Sequence, residues 1–150
     1  MYSSVATMKA TKSKKRGTHH LTRVMNALIA AGEPLTAYQV LAAVRDDGLR
    51  FPSQIYRALD RLVARGLVHR LDSVNAFVVC SCPHTDHRGV KTFTICDSCG
   101  AVQEMTSPTL DRSIHEAARA TAFAAAHSSI EIRGVCQACQ KQQDSPPTPI

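Results

Sequence analysis

Four cysteines stand in two pairs of the same form. Cys96-Asp-Ser-Cys99 is followed at once by Gly100, and Cys136-Gln-Ala-Cys139 comes after 36 intervening residues. A tight turn over two residues brings both thiolates of such a pair to one side. Two pairs can therefore offer four sulfurs to one ion, and four thiolates at about 2.3 Å make a closed tetrahedral zinc site. Gly100 suits the point where the chain turns back from the metal. Such a site would tie the C-terminal strand to the first one, and its binding free energy would be folding free energy. A dithiol redox motif and paired disulfides are the competing readings. Neither accounts for two such pairs bracketing one small sheet in a cytosolic chain.

The other two cysteines, Cys80 and Cys82, stand among His69, His84, Asp86, His87 and, further on, Glu104. A set of one Cys, two His and Glu104 would bridge the two halves of the chain. Thiolate with imidazole selects zinc over harder ions. Four protein ligands leave no open position for a catalytic water, which favours sensing over hydrolysis. Taken singly, each residue has a plainer reading: His69 as a surface strand residue, His84 and His87 as polar groups of a loop.

The elements that must carry these residues divide by charge. Residues 1–72 hold 12 Lys/Arg against 5 Asp/Glu (+7), and residues 73–150 hold 6 against 7 (−1), giving the net +6. An excess of positive charge confined to the first half suits a phosphate polyanion. Lys9, Lys12, Lys14, Lys15 and Arg16 supply 5 of those 12, so a solvated basic tail explains much of it. A hydrophobic fraction of 44% and a charged fraction of 20% are those of a soluble globular protein. No stretch approaches the roughly 18 apolar residues needed to span a bilayer. The start lacks the apolar core of a secretory signal. A cytoplasmic protein is the expectation, and there cysteines favour metal over disulfides.

Residues 1–18 lack apolar periodicity and are expected to form a disordered basic arm. Leu21, Val24, Met25, Leu28 and Ile29 then fall at helical spacing. Thr36 is placed to cap a second helix with Val40, Leu41 and Val44 inward and Gly48 at its end. A third helix buries Ile55, Leu59, Leu62 and Val63, and turns Ser53, Gln54, Arg57, Asp60 and Arg61 the other way, with Tyr56 on the flank. "LVHRL" and "AFVVC" flank "DSVN" as a hairpin. Three helices and a two-stranded ribbon predict a winged helix-turn-helix. On its outer face arginine can pair with guanine and Gln54 with adenine, although a solvated helix face also explains such charges. The second half offers strands at "KTFTI" and "AVQEM". A helix follows from about Pro108 to Ala125, with Leu110, Ile114, Ala117, Thr121 and Ala125 on one face. A third strand, "SIEIRGV", comes last. So few large apolar residues make a thin core that needs a metal or a partner subunit.

Residues 36–80, with "FTICDSCGAVQE" and "IEIRGVCQAC" after them, resemble the ferric uptake regulator (Fur) superfamily. Within it the chain is most similar to the zinc uptake regulators (Zur), over roughly residues 19–140. The resemblance implies an α+β protein, with an N-terminal winged helix-turn-helix and a C-terminal α/β dimerisation domain holding structural zinc. Its parts are an arm 1–18, a DNA-binding domain 19–81, a hinge 82–91, a dimerisation domain 92–140 and a disordered tail 141–150. It implies a homodimeric, zinc-responsive repressor of zinc-uptake genes that binds double-stranded operator DNA and carries two zinc ions per subunit, with neither enzymatic nor membrane function. Cys96, Cys99, Cys136 and Cys139 match the structural ligands. His69, Cys80, Glu104 and a connector histidine, His87 in preference to His84, match the sensing site. His127 matches a recurrent histidine that Asp86 and Asp111 can partner in a further metal site. Tyr56 and Arg57 match the base-contacting pair, and Ser53, Gln54, Arg61 and Tyr38 are grouped with them as DNA contacts. An iron, manganese or peroxide sensor of the same superfamily, and more distantly a zinc enzyme with Glu104 as base, are the alternatives. "GVKTFTIC", in place of a histidine-rich stretch, and Cys80 both favour zinc.

Overall fold

The computed structural model describes residues 7–81 and 89–143. The chain divides between Cys80 and Ser81 into two compact units. His84, Asp86, His87 and Cys82 lie outside the described residues, as do most of the hinge and most of the tail.

In the first unit, helices α1 (Thr7–Ala31), α2 (Ala37–Val44) and α3 (Pro52–Ala64) precede strands β1 (Val68–Leu71) and β2 (Ala76–Val79). Leu21, Val24 and Leu28 of α1, Val40, Leu41 and Val44 of α2, and Ile55, Leu59 and Leu62 of α3 form one buried cluster with Val68 and Phe77. Thr36 caps α2 as the sequence predicts. Its Oγ1 accepts from the Gln39 N–H at 3.3 Å, and Gln39 Oε1 accepts from the Thr36 N–H at 2.8 Å. The capping pair satisfies two N–H groups that the first turn leaves without helical partners. Gly48 closes the following turn at φ 87°, a left-handed conformation that favours glycine.

Three expectations are corrected here. The arm is helical from Thr7, where the sequence predicts disorder through residue 18. Helix propagation costs little once the packed turns from Leu21 onward have nucleated it, and alanine, lysine and methionine are strong helix formers. Ile29 and Val63 are exposed, while Ala58 is buried. Val63 lies about 80° round the helix from Ile55, at the margin of the stripe. Leu35 forms a bridge to Phe77 through N–H···O contacts of 3.0 and 2.8 Å, so a third segment joins the ribbon.

The second unit contains β3 (Lys91–Cys96), β4 (Val102–Met105), α4 (Pro108–Ala120), β5 (Ser129–Gly134) and α5 (Gln137–Gln143). Strand β3 is central, antiparallel to β4 and parallel to β5, with α4 in the crossover. Its buried residues are few: Val90, Thr92, Phe93, Ile95 and Cys96. Helix α4 has no fully buried residue; Leu110, Ile114 and Ala118 are half-buried, while Ala117 and Thr121 are exposed. It ends at Ala120 rather than Ala125. The Phe123 N–H reaches the Ala118 carbonyl and the Ala122 N–H reaches that of Arg119, both at 2.9 Å, with Ala122 left-handed at φ 54°. This is a Schellman closure with alanine where glycine is usual. Helix α5 carries regular structure to Gln143, past the expected start of the tail at residue 141.

Leu59 is fully buried where the three helices meet. Leu59→Ala should destabilise the first unit by about 2–5 kcal/mol through the cavity it leaves. A lowered urea midpoint with unchanged slope will check this.

Candidate metal centres and recognition helix

The turn from β3 to β4 brings the first cysteine pair together. The Gly100 N–H donates to the Cys96 carbonyl and the Cys96 N–H to that of Ala101, both at 2.9 Å. Gly100 takes φ 74°, so glycine serves the turn as predicted. Because β5 runs parallel to β3, its end delivers Cys136 beside Cys96, and α5 brings Cys139 round its first turn. Two contacts fasten the two segments. The Asp97 N–H donates to the Gly134 carbonyl at 2.7 Å, and Arg133 donates from Nε and Nη2 to Asp97 Oδ1 at 2.8 and 2.6 Å.

All four sulfurs lie within 4.8 Å of one another. Cys99 and Cys136 are 3.8 Å apart, the edge of a regular tetrahedron whose centre-to-sulfur distance is about 2.3 Å. The donor set is soft and closed, so the cluster fits a structural zinc ion. The thiols are electrostatically unequal. Hydrogen bonds from the Cys136 N–H, at 3.3 Å, and then from the Cys99 N–H lower the Cys96 pKa from 9.0 to about 6. Interaction with the sulfurs of Cys136 and Cys99 raises that of Cys139 to about 12. A bound divalent cation supplies the charge that lets all four exist as thiolates.

The second predicted ligand set is spread over both units. His69 on β1 faces Val78 across the ribbon, and Cys80 lies two residues beyond Val78, on the same face. A diagonal pair of this kind is within side-chain reach, and the His69 and Cys80 ligand atoms are within 4.8 Å of each other. The Cys80 N–H is fixed by the Leu67 carbonyl at 3.0 Å. In the second unit, Glu104 on β4 receives the Ser81 N–H at 2.9 Å and the Ser81 hydroxyl at 2.8 Å, both on Oε2. Ser81 carries no sequence signal, since its partner is 23 residues away. Asp111 and His127 join no metal-competent cluster among the described residues. Asp111 Oδ1 instead accepts the Val90 N–H at 2.8 Å and lies 3.5 Å from His115 Nε2.

On α3, Ser53, Arg57 and Arg61 are exposed, and Tyr38 on α2 is 66% exposed. Tyr56 is partly buried against the core cluster. Gln54 is the exception to the predicted outer face. Its Oε1 accepts the backbone N–H groups of Arg50 at 3.1 Å and Phe51 at 3.2 Å. In this arrangement Gln54 closes the start of α3. Phe51, 65% exposed just before the helix, was not singled out by sequence.

The lowered Cys96 pKa has a consequence for the metal-free chain. Its folded value of about 6 lies below the ordinary 9.0, so the unfolded chain binds more protons across that interval. Stability should then rise with pH between those values and fall as pH drops toward 6. Urea midpoints of metal-free protein across this window will measure the effect, and Cys96→Ser should flatten that rise.

Residues 6–133 match the model of the Ferric uptake regulator family. The zinc uptake regulation protein of Escherichia coli (strain K12) is 36% identical over 108 residues, 70% of this chain and 61% of that protein. The chain thus aligns with less than two thirds of that relative's length. Among solved structures, a zinc uptake regulator complexed with zinc and DNA superposes with a TM-score of 0.78 at 26% identity, covering 95% of this chain and 100% of that one. Holo XcZur superposes with a TM-score of 0.73 at 34% identity, over 81% of this chain and 84% of that one. With the winged helices, the two cysteine pairs and a match over most of its length, the chain belongs to the ferric uptake regulator family.

Proposed function

We propose that the protein is a zinc-responsive transcriptional repressor, cytoplasmic and without enzymatic activity. In this proposal it binds operator DNA as a zinc-loaded homodimer and controls zinc-uptake genes. The observation that carries the proposal is the pairing of His69 with Cys80 on one face of the wing ribbon. An imidazole beside a thiol selects zinc over harder ions such as manganese. The superposition on a zinc uptake regulator complexed with zinc and DNA supports the same reading.

Two zinc ions per subunit would be held by separate sets. Cys96, Cys99, Cys136 and Cys139 would hold a structural ion; His69, Cys80, Glu104 and the connector residue His87 would hold a regulatory one. Zinc, when bound there, would supply the charge that draws imidazole, thiolate and carboxylate into one ligand set. The regulatory set is complete only when its members come together, so that arrangement gains affinity that others lack. A ligand shifts an equilibrium by its differential affinity for the two states. The closed arrangement would fix the spacing of two recognition helices on half-sites of a palindromic operator. Pairing of subunits is supported by β5, an edge strand among the described residues, with exposed Ile132, Val135 just beyond it, and Phe123 after α4. Exposed apolar groups of this kind mark association surfaces.

Cys80→Ser should abolish zinc-dependent operator binding and leave the dimer folded. Gel shifts with zinc and with chelator will test this, and unchanged binding by the variant defeats the sensing site. Restoration of binding by iron or manganese rather than zinc would assign the protein to another sensor class. Arg57→Ala should cost about 1–3 kcal/mol at one base position. Affinity measured on operators substituted position by position will locate that base.

A further inference from the structure

Phe51 stands at the leading end of α3 with its ring turned to solvent. It is 65% exposed, although Leu49 before it and Ile55 after it are fully buried. Its backbone, by contrast, is held on both sides. The Phe51 N–H donates to Gln54 Oε1 at 3.2 Å, and the Phe51 carbonyl accepts the Gln54 N–H at 3.0 Å. Pro52 restricts the residue before it to extended backbone, and Phe51 lies at φ −115° and ψ 133°. The ring gives α3 no capping hydrogen bond. What remains is a large apolar group presented from a fixed point, and a preorganised group loses little freedom on binding.

The surroundings of the ring are cationic and polar. From Gly48 to Leu59 the sequence carries Arg50 and Arg57 and no carboxylate, and Arg50, Ser53 and Arg57 are exposed. Apolar protein partners are met by contiguous apolar patches, which a ring set among arginines is not. It matches a ligand with anionic rims and small apolar groups between them. The major groove of DNA has this pattern, with phosphates along its edges and the thymine C5-methyl group on its floor. In a helix-turn-helix, the residues that reach base edges are those at the start of the second helix. We propose that Phe51 is a specificity-determining contact whose ring packs on a thymine methyl group in the operator half-site. This rests on the DNA-binding function proposed above, and adds to it a base contact that involves no hydrogen bond.

The test uses full-length, zinc-loaded protein and duplexes that it selects from a randomised pool. Within a selected duplex, each thymine of one half-site is replaced in turn by uracil, which lacks only the methyl group. At one position the replacement should weaken wild-type binding about fourfold, the share of one buried methyl group. Phe51→Ala should bind the thymine duplex more weakly and no longer distinguish uracil there. Phe51→Leu, still apolar, should keep part of the distinction. The salt dependence should stay as in wild type, because the ring meets no phosphate. Equal responses of wild type and Phe51→Ala to every uracil, or no response of wild type to any, overturn this contact and leave the DNA-binding function standing. Failure of zinc-loaded wild type to bind any duplex overturns both. A changed oligomeric state of Phe51→Ala in sedimentation makes the ring an association surface between copies and also overturns the proposal.

Discussion

The second unit is organised around the crowding of four sulfurs within 4.8 Å of one another. Without a cation the cluster holds protons: hydrogen bonding to the sulfurs of Cys136 and Cys99 pushes the Cys139 thiol up to about 12. Backbone geometry nevertheless enforces the approach. The parallel pairing of β3 with β5, the turn at Gly100 and the Asp97–Arg133 contact each hold one side of the cluster in place. The apolar contribution is small, since α4 offers no fully buried side chain and the buried residues are largely those of β3. A unit with so thin a core needs a metal or a partner subunit to supply much of its folding free energy.

The first unit rests on a different source of stability. Its buried cluster draws on all three helices and on both ribbon strands, and includes no metal-competent residue. Loss of metal from the four-sulfur site would leave this core intact. What the core positions is a single face of α3, and its placement depends on Gln54 and Tyr56. Gln54 ties the chain before the helix to its first turn, and Tyr56 packs partly against the cluster, leaving Ser53, Arg57 and Arg61 outward. Gln54, placed outward by helical phase, thus also fixes the start of the helix that carries the side chains beside it.

Much of this was legible in the sequence, for a physical reason. Apolar periodicity reports burial directly, so Leu21, Val24, Val40, Ile55 and Leu59 were placed correctly, and so were the ribbon strands. The spacing of Cys96, Cys99, Cys136 and Cys139 reports a local turn twice over, and the structure brings the four together. Features set by non-local or purely cooperative effects were not legible. The backward extension of α1 to Thr7 follows from propagation, not pattern. The end of α4 is closed by an alanine in a left-handed conformation, where sequence offers no glycine to mark it. The Leu35–Phe77 bridge, the Ser81–Glu104 clasp and the capping role of Gln54 depend on which groups the fold brings within hydrogen-bond reach.

The meeting of His69 and Cys80 on the ribbon depends on strand register. Successive side chains of a strand point to opposite faces, so a slip of one residue would carry Cys80 away from His69 and separate the thiol from the imidazole. Register in a hairpin is fixed by its turn. Here the turn runs through Asp72–Val74 and closes at Asn75, left-handed at φ 48°, whose N–H meets the Asp72 carbonyl at 3.3 Å. Asparagine is among the few residues that adopt this conformation readily. From that closure the pairs Leu71–Ala76, Arg70–Phe77, His69–Val78 and Val68–Val79 follow in order, and Cys80 comes next on the face of His69. Burial of Val68 and Phe77 on the opposite face holds the same register, because a slip would disturb their packing. The juxtaposition of His69 and Cys80 is therefore a product of turn geometry and core packing acting together, and neither residue needs a neighbour in sequence to find the other.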